Sequence, residues 1–248
     1  MRRRWGARRF DTLDTIRGIT LISMILYHAS WDLVYLYGVD WPFYHTHWAY
    51  LWQQSICWTF ILLSGYCFHL GSRRVRRGLM VFGGGVLVSL VTLVAMPDSP
   101  IICGVLTLLG SAMLLTVPLD RLFSRLPAGV GLAGSLALFV LLRNVNAGFL
   151  GFEGWNLLAV PAQLYRNLLT AYVGFPHAAF YSSDYFSLIP WLFLFWTGYF
   201  LYRLQKPSRG GTYLPVVTAM GRRSLLIYLL HQPVLYGLLE LLSLLGVL

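Results

Sequence analysis

The chain is built around apolar stretches of 17 or more residues with few or no charges, separated by short basic clusters. At 1.5 Å per residue, a helix of that length crosses a hydrocarbon layer of about 30 Å. Inside lipid every backbone polar group must be satisfied internally, which a helix does by itself. With 57% hydrophobic and only 11% charged residues, a soluble globule could not cover so much apolar surface. The expected fold is therefore all-α: a single-domain polytopic transmembrane bundle, 1–248.

The hydrophobic pattern predicts about seven spans: Thr12–Tyr37, Trp48–Leu70, Leu79–Met96, Ile101–Val117, Ala128–Leu142, Phe186–Leu204 and Ser224–Leu248. The MPDSP turn makes the third and fourth a hairpin. The stretch Trp155 to Phe175 is long enough to span but holds Pro161, Gln163, Arg166 and Asn167. Charge bias decides its place. With seven spans, sixteen of the nineteen basic residues share one side, the arrangement of a cytoplasmic amino terminus. Counting the Trp155 segment as a span would move the last basic loop outside, so it is expected as an interfacial or re-entrant element of a long external loop, 143–185.

The net charge of +10 does not point to nucleic acid, because the basic residues lie in clusters between apolar runs rather than along one stripe. SRRVRR reads as a topology signal or a contact with anionic lipid. The basic segment 1–11 precedes a run carrying Asp14, Arg17, His28 and Asp32, without a small-residue cleavage site, so a retained helix is expected rather than a removable signal. Cys57, Cys67 and Cys103 fall in apolar runs and read as small core residues. His45, His47 and His177 read as surface residues, and no metal site or bound cofactor is expected.

Ionisable groups inside a membrane are functional candidates that need named partners. Arg17 and His28 are eleven residues apart, which at about 100° per residue puts them on one helix face, roughly 16 Å apart. Asp14 lies three before Arg17 and Asp32 four after His28, so one stripe reads carboxylate, guanidinium, imidazole, carboxylate. An imidazole held by a carboxylate can serve as a general base near neutral pH, and Asp32 is placed to be that orienting group. Arg17 suits a phosphate or a pair with Asp14. The plainer alternative is a helix-end ion pair and an interhelical histidine bond. In GRRSLLIYLLHQP, Ser224, Tyr228 and His231 share a face, with Ser224 a candidate helix cap and Pro233 expected to kink the helix. Asp184 is either a residue at the outer mouth or a cap for the sixth helix.

In order and spacing, DTLDTIRGI, ILYHASWDL, LLSGYCFHLG, DYFSLIPWLFLFWTGYF and GRRSLLIYLLHQPVL resemble the bacterial branch of the heparan-alpha-glucosaminide N-acetyltransferase catalytic-domain family, from Asp11 to Leu235. The spacing of Arg17 and His28 is also similar to the signature of the integral-membrane acyltransferase family 3. The resemblance implies a multi-pass enzyme of a bacterial inner membrane that moves an acyl group, as in acetyl-CoA, from cytoplasmic acyl-CoA to a hydroxyl or amine of a glycan on the far side. It carries His28 over as the catalytic histidine and Arg17 as its motif partner. Asp14, Asp32, Asp184 and His231 match pattern positions, and Arg222 and Arg223 join Arg17 as candidates for the CoA phosphates. The chain departs from the family at Thr107, where a histidine is common. Two other classes remain: a transporter or proton-coupled channel lined by the polar face of the first helix, and a non-enzymatic partner within an envelope assembly.

Overall fold

A computed structural model describes residues 10–208 and 210–247; most of the basic amino-terminal segment lies outside them. In chain order the helices are α1 (Asp11–Tyr35), α2 (His47–Tyr66), α3 (Arg74–Ala95), α4 (Val105–Arg125), α5 (Ala128–Leu141), α6 (Leu168–Val173), α7 (Leu188–Leu204), α8 (Pro215–Arg222) and α9 (Ser224–Leu244). Two strands, β1 (Phe149–Phe152) and β2 (Trp155–Ala159), lie between α5 and α6. The chain forms two compact units, 1–60 with 207–248 and 61–206.

Among the described residues three helices, α3, α4 and α9, are long and apolar enough to cross a membrane. This is a smaller set than the seven runs suggest. Helix α1 has the length, at 25 residues, but its carboxylates and guanidinium dilute its hydropathy. Helix α5 is apolar but has only 14 residues.

In the first unit, α1 packs on both α8 and α9. Its apolar side presents Leu21 and Met24 to Ile56, with Trp52 and Tyr228 packed around them. The approach of α1 to α8 depends on glycine. A Cβ on Gly221 would meet the Asp14 carbonyl oxygen at 1.8 Å, and one on Gly18 would meet the Val217 carbonyl oxygen at 2.0 Å. Small residues let two backbones meet this closely. Buried Thr15 and Thr218 then share a 2.7 Å hydrogen bond across the contact. Helix α8 was not foreseen from the sequence, being a short segment opened by Pro215 at its first turn, where a fixed φ suits a helix start.

In the second unit, α3 pairs with α4 and α5 with α7. The segment 143–185 corrects the all-α expectation. β1 and β2 form an antiparallel hairpin with Phe152 opposite Trp155 and a bulge between Leu150 and Gly151. Buried Asn144 holds it, donating from Nδ2 to the carbonyls of Glu153 (2.6 Å) and Trp155 (3.1 Å). Asn167 then caps α6 in a reciprocal box with Thr170.

Candidate active site

The polar stripe of α1 divides between its two helical neighbours. Near the amino-terminal end, Arg17 Nη1 donates to Asp14 Oδ1 (3.0 Å) and to the Gly221 carbonyl of α8 (3.4 Å). Arg222 reaches back from α8 to the same turn, with Nη2 2.6 Å from Asp11 Oδ1 and Nε 3.4 Å from Asp14 Oδ2. Two carboxylates thus face two guanidiniums, so the cluster is neutral as a set. The carboxylates also sit at the amino-terminal end of α1, where the helix dipole favours negative charge. Arg223 is exposed and directly follows this cluster.

Three turns further along, the stripe meets α9. The His28 ring packs edge-on against that of His231, with centroids 4.9 Å apart. Asp32, fully buried at 0% exposure, accepts at Oδ1 from Gln232 Nε2 (2.7 Å). The orienting bond expected between Asp32 and His28 is therefore made to Gln232 instead. Asp32 lies one turn past His28 on α1 and Gln232 one residue past His231 on α9, so the amide intercepts the carboxylate. Sequence reading passed over Gln232, although a glutamine beside a histidine inside an apolar helix is a signal in its own right.

His231 is 9% exposed, and its Nδ1 lies 2.5 Å from the Tyr228 carbonyl one turn earlier. Ser224 opens α9 as its first helical residue, while the cap position belongs to Arg223. Helix α9 continues through Pro233 to Leu244.

The remaining candidates fall in the second unit. Asp184 lies three residues before Ser187, the cap position of α7, and does not cap that helix. It accepts from the Val105 backbone amide at the start of α4, and burial lifts its carboxyl to about 6 against the lowering effect of that bond. Its neighbours bind the same turn: Ser182 Oγ accepts from Ile102 N (2.9 Å) and Phe186 N donates to the Cys103 carbonyl (2.8 Å). Thr107 is buried and donates to the Gly104 carbonyl (2.6 Å), a local helix bond. The SRRVRR run lines a cleft of about 610 Å³, and Arg74 within it is committed to Asp120 (2.6 Å).

On the helix headed by Arg17, His28 is half-buried and Asp32 fully buried. A family model for the heparan-alpha-glucosaminide N-acetyltransferase catalytic domain matches residues 9–233. The chain belongs to that family. The family is one of membrane acetyltransferases, and the match covers His28, Asp32 and His231 together with Arg17, Arg222 and Arg223. Neither a search of curated proteins nor one of solved structures found a match.

Proposed function

We propose that this family member is a transmembrane acyltransferase of a bacterial cytoplasmic membrane, with seven spans and a cytoplasmic amino terminus. It moves an acetyl group from cytoplasmic acyl-CoA to a hydroxyl or amine of a glycan on the opposite side. The observation carrying this reading is the His28 ring set against His231, with Asp32 one turn away, in a chain of this acetyltransferase family.

His28 is the base. Its unprotonated ring nitrogen takes the proton from the acceptor as the acceptor's oxygen or nitrogen attacks the thioester carbonyl. The carbon–sulfur bond breaks, CoA leaves as its thiolate, and the imidazolium returns the proton to that sulfur. In the two-step variant the same nitrogen attacks first and carries the acyl group before the acceptor arrives. Arg223 attracts the CoA phosphates at the end of the bundle. Arg17 and Arg222 lie beside it and offer guanidinium groups that pair with phosphate as well as with carboxylate.

The test is acyl-CoA binding and free-CoA release by detergent-solubilised protein, wild type beside His28→Ala. Saturable binding with release that disappears in the variant is the expected result. Release that survives His28→Ala would overturn the catalytic role, and substrate uptake by proteoliposomes without CoA consumption would favour a transporter.

A further inference from the structure

The hydrogen bonds of the polar cluster beside His28 fix its chemical polarity. Three polar atoms in it, Asp32 Oδ2, His231 Nε2 and Gln232 Oε1, are buried and have no hydrogen-bond partner among the described residues. The bonds that their side chains do make settle what each free atom is. The Tyr228 carbonyl can only accept, so His231 Nδ1 carries the proton, and in the neutral ring Nε2 is left with a lone pair. Asp32 as a carboxylate can only accept, so the Gln232 amide nitrogen faces it and Oε1 is the free end. Asp32 Oδ2 is itself an acceptor. All three unpartnered atoms therefore accept hydrogen bonds, and none donates.

Buried acceptors left unmatched are costly, and a buried carboxylate without a cation more so. Among the described residues Asp32 has a neutral amide for its partner and no ion pair. A ligand that fits must bring hydrogens, and one positive charge is favoured. An ammonium group offers three donors and no acceptor; a carboxylate or phosphate offers the wrong polarity throughout.

We propose that Asp32, His231 and Gln232 form an acceptor-only pocket for a hydrogen-bond-donating ammonium or hydroxyl head group, with Gln232 the positioning residue that holds Asp32 toward that ligand and away from His28. Taking the ligand to be the acyl acceptor rests on the acyltransferase reading; the pocket itself does not. In this arrangement His28 is left unencumbered by Asp32 and free to take the proton that the bound head group presents. Gln232 acts through Asp32: its amide uses one carboxylate oxygen and aims the other.

The test uses two probes of nearly equal size and opposite polarity, ethanolamine and acetate, with full-length detergent-solubilised protein labelled with ¹⁵N at histidine. The expected result is an Nδ1–H tautomer for His231, with its Nε2 resonance shifted by ethanolamine and not by acetate. Gln232→Met should weaken ethanolamine binding at least tenfold while leaving acyl-CoA binding unchanged. An Nε2–H tautomer, equal binding of acetate, no response to either probe, or unaltered ethanolamine binding in Gln232→Met would each overturn the proposal. Should Gln232→Met not fold, the tautomer and the two-probe comparison in the wild type still decide it. CoA release is measured on the same samples. Release without ethanolamine binding removes the pocket and leaves the enzyme, whereas ethanolamine binding without release does the reverse.

Discussion

Asp32 and Asp120 are both carboxylates within helices of an apolar chain, one in each unit, and they differ in how completely they are used. Asp120 accepts from Arg74 at one oxygen and from Tyr199 at the other, both at 2.6 Å. The Arg74 guanidinium also lies 4.8 Å from the Phe68 ring centre. This network closes on itself, ties α3 and α4 to α7, and leaves no carboxylate oxygen over. Asp32 has one oxygen held by a neutral amide and the other unpartnered among the described residues. A satisfied buried network holds a fold together, while a partly satisfied one is tolerated where a ligand completes it. The comparison separates a carboxylate with both oxygens bonded from one with an oxygen left over, where residue type alone does not.

The largest effect expected from breaking this contrast is on chemistry. His28→Ala should lower CoA release by about 10² to 10⁴-fold, the usual contribution of a positioned base, with little change in the thermal midpoint in detergent. The two aspartates should then behave in opposite ways. Asp32→Asn is nearly isosteric and should cut turnover by at least about tenfold while leaving the midpoint within a few degrees. Asp120→Ala should remove about 1.5–3 kcal/mol, seen as a midpoint lower by several degrees, with turnover per folded molecule retained. A stability loss in Asp32→Asn with normal turnover would erase the distinction.

Packing at the head of the site gives a smaller effect. Gly221→Ala places a methyl group against the Asp14 backbone, and the shift of α8 that follows should cost about 1–3 kcal/mol and raise KM for acyl-CoA more than it lowers kcat. The smallest effect concerns Asp184. Its carboxyl is raised in the folded state, so the stability it contributes is present at acid pH and is lost as the pH rises from the ordinary carboxylate range through about 6. Asp184→Asn keeps an acceptor for Val105. Its midpoint should match the wild type near pH 4 and exceed it above pH 6, by a few degrees at most; a gap that widens toward acid pH would reverse the assignment.

Much of α1 was legible in advance. The eleven-residue spacing of Arg17 and His28, and the flanking Asp14 and Asp32, define one face by helical geometry alone, and that face is the one covered by α8 and α9. The hairpin in the segment 143–185 was not legible. FLGF and WNLLA are short, lack alternation, and turn on Glu153 and Gly154 rather than a stronger turn pair. Asp120 escaped notice because it stands at the basic end of its helix, where a charge needs no explanation.

What the sequence determined by itself is whatever depends on local periodicity and composition: a helical, lipid-facing chain, the polar stripe on α1, and the family motifs in their order. What only the tertiary structure decided is which partner each polar group meets. Asp32 and His28 are one turn apart on a single helix, so spacing favours their pairing. Gln232 is 200 residues away from Asp32 in the chain, and helix packing alone brings its amide to that carboxylate while leaving the other oxygen unpartnered among the described residues.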